Sequence, residues 1–381
     1  MPPILLDTVS ADLLLACDRE VGNDLLARYN SPMKPLRKHV ALAVDGGGIR
    51  GIMVTRALAM LEEHLGIASH ELFGLVAGTS TGSVIAAGVG AGIPAARMNA
   101  LYQELGGAIF RRSLRSRLWP LARYRYPIEP LRSALHSALG DMTLGDLWPD
   151  GGGMDLVITT FDLIEQRTRF IKPWKPEYAP WPLVQAVLAS CAVPTYFPVI
   201  DGRYVDGGVG SYTNPCYLAA YEIAFCLGWD PSETTLISLG TGRSRRAIGV
   251  GEANRFWPWQ WLGPVLDAFG SSAHDQQVHL VDTFFSDLDF RRFQVDLERP
   301  ISMDDASALY ELERYGEQLG EKMLTDDIDA AQMITATPAP TYRLPTQPVV
   351  IEREPARMSS LPLWIVLGGS MLGLWRQLRK H

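Results

Sequence analysis

Two short glycine clusters, each placed directly after an apolar run, constrain this chain more than any other feature. Asp45-Gly46-Gly47-Gly48-Ile49-Arg50-Gly51 follows the apolar residues 40–44, and Gly78-Thr79-Ser80-Thr81-Gly82 follows residues 72–77. A short apolar run closed by glycine reads as a buried strand entering a tight turn. After the first cluster Ile52, Leu58, Leu61 and Leu65 recur at helical spacing, and after the second a small-residue helix is predicted over 83–91. Two strand–turn–helix units in succession predict a parallel sheet whose turns gather at the carboxyl ends of the strands.

The pattern continues along the chain. Strands are predicted at 156–161, 168–171, 203–206 and 235–239, and helices at 183–188 and 304–324. The expected class is α/β, a three-layer sandwich with a mostly parallel central sheet. With 381 residues and 47% hydrophobic composition the chain can fill one large core. Residues 1–38 read as a helical extension, with an amphipathic helix over 7–29 that ends near Pro32 and Pro35. Residues 39–334 are the main domain. A linker over 335–358 contains Pro338, Pro340, Pro345, Pro348 and Pro355, a composition that favours extended chain.

Residues 359–381 form an apolar tail, predicted as a C-terminal apolar helix. Trp364 and Trp375 bracket its apolar part, and Arg376, Arg379 and Lys380 follow, which are membrane-interface features. A short anchor, an interfacial helix and a helix docked on the core all stay open for it. The uncharged stretch 74–93 is long enough to span a bilayer but holds the second glycine cluster, so it reads as buried strand, turn and helix. Asp7 and Asp12 interrupt the first apolar residues, so no secretory leader is expected. The net charge of −7 argues against a nucleic-acid polymer as partner. Cys17, Cys191, Cys216 and Cys226 lack metal-like spacing and read as free thiols in a reducing compartment, with no metal site expected.

The first cluster fits G-x-G-x-x-G, yet a dinucleotide site wants an acidic residue at the end of the next strand. That strand ends in Gly78-Thr79-Ser80, and the nearby Glu62 and Glu63 fall inside the helix. Backbone amides in such a loop can instead stabilise the oxyanion of a tetrahedral intermediate. The second cluster fits G-x-S-x-G, the sharp turn that presents a nucleophilic serine. Of the histidines beyond Ser80 (His136, His274, His279, His381), none follows a convincing strand end. Asp206 does, in Val205-Asp206-Gly207-Gly208, and a carboxylate can act as the base directly.

These three motifs, in this order, resemble the patatin-like phospholipases. Residues 192–198 (Ala-Val-Pro-Thr-Tyr-Phe-Pro), Asn214-Pro215 and Ser238-Leu239-Gly240-Thr241-Gly242 extend the resemblance, which covers residues 39–324. It implies a patatin-like sandwich and a lipid acyl hydrolase with a Ser–Asp dyad and neither metal nor cofactor. Ser80 is then the nucleophile, Asp206 the base, and the amides of Gly46, Gly47 and Gly48 the oxyanion hole. Asp45, Arg50, Gly51, Gly78, Gly82, Gly207 and Gly208 are supporting motif positions, and Gly47 is expected to need dihedrals open only to glycine. The substrate implied is a membrane phospholipid, met at the cytoplasmic face of a membrane through the tail.

A general esterase for soluble esters stays open. So does a regulated effector lipase, since lipases of bacterial anti-phage systems share this motif set and are switched on by a cyclic nucleotide. The segment 111–132 carries seven arginines with Trp119, Tyr124 and Tyr126 interleaved. It reads as a solvated basic face, a headgroup contact or a site for a small anionic regulator. Phe256-Trp257-Pro258-Trp259-Gln260-Trp261-Leu262 suits a membrane interface, the mouth of an acyl pocket or ordinary packing. Assembly as a homo-oligomer is also left open.

Overall fold

The computed structural model describes residues 33–329 apart from 112, 114–121, 150–152, 244–247 and 258–259, and within 262–271 the backbone alone. Residues 1–32 of the predicted extension, the linker, the apolar tail and residues 112 and 114–121 of the arginine-rich segment lie outside the described residues.

A central sheet is built from β1 (His39–Val44), β2 (Leu75–Thr79), β3 (Asp155–Asp162), β4 (Arg167–Ile171), β5 (Tyr204–Asp206), β6 (Thr234–Leu239) and β7 (Asp289–Phe293). Its order is β4-β3-β2-β1-β6-β7, with β5 paired to β3. The pairs β1–β2, β1–β6, β2–β3 and β6–β7 are parallel. The sheet is thus mostly parallel, as expected, while β4 and β5 pair with β3 antiparallel.

Strand residues point alternately to the two faces, and two cores form as a result. Val40, Leu42, Val44, Val76, Leu156 and Ile158 face one, while Ala41, Ala43, Leu75, Ala77 and Val157 face the other. The first is covered by α1 (Gly51–Leu65), α2 (Thr81–Gly90), α4 (Glu129–Leu139), α5 (Leu183–Cys191) and α8 (Leu309–Leu324), with α3 (Ala95–Ile109) packed alongside. The second is covered by α6 (Cys216–Tyr221) and α7 (Leu262–Phe284). This is the three-layer arrangement expected of the pattern.

Some boundaries differ from the expectation. The second strand starts at Leu75 rather than 72, because 69–72 closes one more helical turn. The last helix starts at Leu309, after a 3-10 turn at Ala306–Ala308. α3, α4, α7 and β7 were not anticipated. β7 reads Asp-Phe-Arg-Arg-Phe, which has the charge of a surface segment, yet Arg291 and Arg292 are both buried. Arg291 is held by Asp289, by Asp326 and by the carbonyls of Lys34 and Pro35, so its charge and its donors are matched.

α8 lies directly on α1, and Gly316 sets how closely. A Cβ there would stand 2.7 Å from the Cβ of Arg56 and 2.8 Å from the carbonyl oxygen of Met53. Gly316→Val should therefore lower stability by about 1–3 kcal/mol through overpacking. Urea unfolding of the two proteins measures it; an unchanged midpoint would show that the two helices can part freely.

Candidate active site

The site forms where one strand leaves the sheet and another takes its place. β2 pairs with β3 as far as Thr79 opposite Thr159. At the next residue the chain turns. β5, running the other way, then fills the vacated edge, with Asp206 opposite Thr160. Consecutive residues of β3 thus hold the end of β2 and the end of β5, which brings Ser80 and Asp206 to the two sides of one break.

The turn at Ser80 is tight. Ser80 has φ +55° and ψ −124°, a conformation that costs a non-glycine residue about 1–3 kcal/mol. Backbone crowds it from both flanks: a Cβ at Gly78 would lie 2.2 Å from the carbonyl oxygen of Gly82, and one at Gly82 would lie 2.2 Å from that of Val44. Local bonds fix the turn. The Ser80 amide donates to Ser190 Oγ on α5 at 2.9 Å, and Ser83 Oγ donates to the Ser80 carbonyl at 2.6 Å. The hydroxyl of Thr79 donates to the Tyr212 carbonyl and meets that of Thr159 at 2.7 Å.

Asp206 is buried. Its Oδ1 accepts the Gly208 amide at 2.8 Å, while Oδ2 has no partner at ordinary hydrogen-bond length among the described residues. Burial pushes its pKa up to about 6, against the opposing influence of the Ser80 hydroxyl and the Gly208 amide. Ser80 is thus near enough to favour the carboxylate without a short bond to it. A catalytic contact that tightens only when substrate arrives has this form. Gly207 lets β5 approach, since a Cβ there would lie 2.1 Å from Thr159 Oγ1.

The first glycine cluster lies against the same serine: a Cβ on Gly46 would be 3.3 Å from that of Ser80. Its amides divide into two groups. Asp45 donates to Leu239 O at 3.1 Å, Gly46 to Thr213 O at 2.8 Å and Ile49 to Met303 O at 2.9 Å. The amides of Gly47 and Gly48 make no hydrogen bond with any described residue. The expectation for Gly46 is therefore corrected: its N–H is committed to Thr213, and only Gly47 and Gly48 have donors to offer an oxyanion.

The carbonyls of the loop are turned away and held. Thr241 Oγ1 donates to Gly46 O at 2.7 Å, and Arg50 Nε donates to Gly47 O at 3.2 Å. Gly47 has φ 168°, an extended value open to any residue, so the expected dihedral reason does not apply. What excludes a side chain there is Thr241, whose Oγ1 would lie 2.2 Å from a Cβ. Gly51 is likewise closed in by Thr81 Oγ1, 2.3 Å from where a Cβ would sit.

A buried ion pair anchors this loop from behind. Arg292 on β7 donates from Nη1 to Asp45 Oδ1 at 2.9 Å and from Nη2 to Asp45 Oδ2 at 2.5 Å, and it also bonds Ser238 Oγ at 2.8 Å. Both partners are 2% exposed. Sequence reasoning missed Arg292, because no motif marks an arginine in a short strand. His274, on α7, accepts from Arg292 Nη2 and lies 3.4 Å from Asp45 Oδ2. Burial lowers its pKa, which keeps Nε2 free to accept. His274 therefore serves the clamp. Among the described residues, no histidine is recorded against Ser80 or Asp206.

An apolar cavity opens beside Ser80 and runs between α2, α3 and α4. Val84 and Gly88 of α2, Met98 and Leu105 of α3, and Leu131 and Leu135 of α4 line it. At its near end the Tyr102 hydroxyl meets that of Thr81.

Residues 42–220 match the family described as Patatin-like phospholipase. The chain is 36% identical over 256 residues to a cGAMP-activated phospholipase of Pseudomonas aeruginosa, covering 63% of this chain and 73% of that protein. A cGAMP-activated phospholipase of Vibrio cholerae is 28% identical over 52% of this chain, which spans 63% of that relative's length. Patatin-like protein 4 of Arabidopsis thaliana is 27% identical over 82% of this chain and 90% of its own.

Removing the clamp should be costly. Arg292→Met leaves Asp45 buried without its partner and should lower stability by about 3–5 kcal/mol. Chemical denaturation checks this. A loss under about 1 kcal/mol would mean that water reaches Asp45 and that the pair is not what holds the loop.

Proposed function

Because this chain belongs to the patatin-like phospholipase family, we propose that it hydrolyses carboxylic esters of membrane lipids with Ser80 as nucleophile and Asp206 as its base. The observation that carries this reading is the break in the sheet, where Ser80, a buried carboxyl with an unpartnered Oδ2 and two uncommitted loop amides converge. Ser80 Oγ attacks the ester carbonyl carbon while its proton passes to Asp206. Negative charge gathers on the carbonyl oxygen, where the Gly47 and Gly48 amides stabilise it. Collapse of the tetrahedral intermediate breaks the ester C–O bond, and the departing alkoxide takes the proton from Asp206. Water then attacks the acyl-enzyme and gives a proton to Asp206; collapse breaks the Ser80 Oγ–acyl bond, Asp206 returns the proton to Ser80 Oγ, and fatty acid leaves. The other product is a lyso- or deacylated lipid.

The cavity beside Ser80 suits an acyl chain, being apolar along its length. We place the protein at the cytoplasmic face of a membrane, held by the apolar tail. The buried free thiols Cys191 and Cys216 fit a reducing compartment. Among the described residues no helix is long and apolar enough to cross a membrane, so attachment in this reading falls to the tail, outside them. A second reading follows from two relatives being named cGAMP-activated: a small cyclic nucleotide switches this enzyme on too. Under that reading, lipid hydrolysis rises on adding cGAMP.

Ser80→Ala should reduce ester hydrolysis at least about 10³-fold, and Asp206→Asn nearly as much, with circular dichroism unchanged. Asp206 must be ionised to accept the proton. kcat/KM should therefore rise with pH up to about 6, level off above it, and fall about tenfold per unit below it. The inflection should persist in His274→Ala; its loss there would move the base to the histidine.

The cavity also predicts chain-length preference. It follows α2 from Thr81 to Gly88, about 10 Å of helix. Met98 Sδ stands 2.3 Å from where a Cβ on Gly88 would be. Each acyl methylene buried contributes about 0.8 kcal/mol. Met98→Ala should shift the preferred p-nitrophenyl ester to longer chains, and Gly88→Leu should shift it to shorter ones. Activity that scales equally for butyrate and palmitate in both variants would remove the acyl chain from this cavity.

A further inference from the structure

The loops at the carboxyl ends of the strands, the end of the sheet at which Ser80 lies, expose a set of apolar side chains. β3 continues beyond Thr159 to Asp162, and the hairpin after it exposes Leu163 and Ile164, the latter at 69%. The turn leading into β5 lies against that hairpin through Leu163 N–H to Arg203 O at 3.0 Å, and exposes Val199. On the other flank, the segment after β6 exposes Ile248, Val250, Trp257 and Trp261, with Trp257 at 64%. Phe256 packs edge-on against Trp261 at 5.4 Å. The start of α8 adds Tyr310 at 78%.

We infer that this rim is a lipid-docking surface, which seats in the interfacial layer of a bilayer and aligns the Ser80 opening with its substrate. The inference rests on the lipid-hydrolase reading above and adds to it a surface separate from the tail. Three observations favour it. First, the apolar groups lie to both sides of β2, whose end carries Ser80: β3 is the neighbour of β2, and β6 is separated from β2 by β1 alone. Exposed apolar residues scattered singly need no explanation, but a set gathered in the loops at one end of a sheet does.

Second, Ser80 sits at that same end of the sheet, directly after β2. A protein partner seated there would close the path to Ser80, whereas a bilayer brings the substrate with it. Third, the residue types and charges fit a membrane surface. Tryptophan prefers the headgroup layer. Behind the hairpin tip Arg167, Arg169 and Arg203 pair with Glu165, and Arg169 and Arg203 also with Asp162, so three cations face two carboxylates and a small positive charge is left over, which suits an anionic surface. Exposed aromatics also occur toward the amino ends of the strands, where Phe225 lies 6.2 Å from Phe285, just before β7. Tyr221 and Phe225 pack on each other at 5.1 Å.

The test uses the full chain, vesicles of phosphatidylethanolamine and phosphatidylglycerol, and soluble p-nitrophenyl butyrate. Ile164→Glu combined with Trp257→Glu should lower vesicle hydrolysis at least about tenfold and leave butyrate hydrolysis within about twofold. Phe225→Glu, at the far end, should leave both unchanged. Unaltered vesicle hydrolysis in the rim variant, or an equal loss in Phe225→Glu, would overturn the inference. Butyrate hydrolysis that survives Ser80→Ala would instead overturn the catalytic reading, so the two failures are distinct. Should the double variant not fold, brominated lipids provide a second measurement in inactive Ser80→Ala protein. They should quench a tryptophan emission that is missing when Trp257→Phe and Trp261→Phe are added. Quenching that is the same with and without those tryptophans would also overturn it.

Discussion

The catalytic half of this molecule depends on a single steric constraint, the close passage of backbone at the turn after β2. Val44, Gly78 and Gly82 meet there with no room for a Cβ at either glycine. That passage holds Ser80 at a positive φ and ends β2 at Thr79, opposite Thr159, while β3 continues to Asp162. The edge left open on β3 is filled by β5, so the same constraint that presents the serine also makes the place for Asp206. A strained residue persists only where its surroundings over-determine it. Here Ser190, Ser83 and the Thr79–Thr159 hydroxyl pair supply that support.

Charge is arranged in two registers around this break. Asp45 and Arg292 form a buried, bidentate pair whose donors and acceptors are matched, and so the loop between them and Ser80 is held in one position. Breaking such a pair is expensive because it leaves one charge alone in a poor solvent. Asp206 is treated in the opposite way. Among the described residues no cation pairs with it and one of its oxygens has no partner, and burial lifts its pKa toward the working range of a general base. Two aspartates therefore take different roles through their environments: Asp45 positions, and Asp206 is left able to exchange a proton.

Much of this was legible in the chain. The sharp turn at Ser80 and the strand-end placement of Asp206 follow from glycines and apolar runs, which act locally. Features set by distant partners were not. β7 looks like a surface segment until the ion pairs of Arg291 and Arg292 are seen, and those partners lie far away in sequence. The antiparallel course of β5 could not be read from three residues, since direction in a sheet is decided by the strand it joins. The commitment of the Gly46 amide to Thr213 is a tertiary bond and leaves no local mark. Gly47 was expected to need unusual dihedrals, but its constraint is the Thr241 side chain, contributed by a different loop. The cavity beside Ser80 leaves no mark in the sequence, because α3 and α4 line it with apolar residues in a pattern that ordinary core packing shares.

The central claim is that Ser80 is made nucleophilic by Asp206 across the break in the sheet. Fluorophosphonate labelling followed by peptide mass spectrometry tests it most directly. The account predicts one phosphonyl adduct, on Ser80, formed rapidly in the native protein and slowed at least about 10³-fold in Asp206→Asn. Labelling at another residue, or labelling of Ser80 at the same rate without the Asp206 carboxylate, would contradict it.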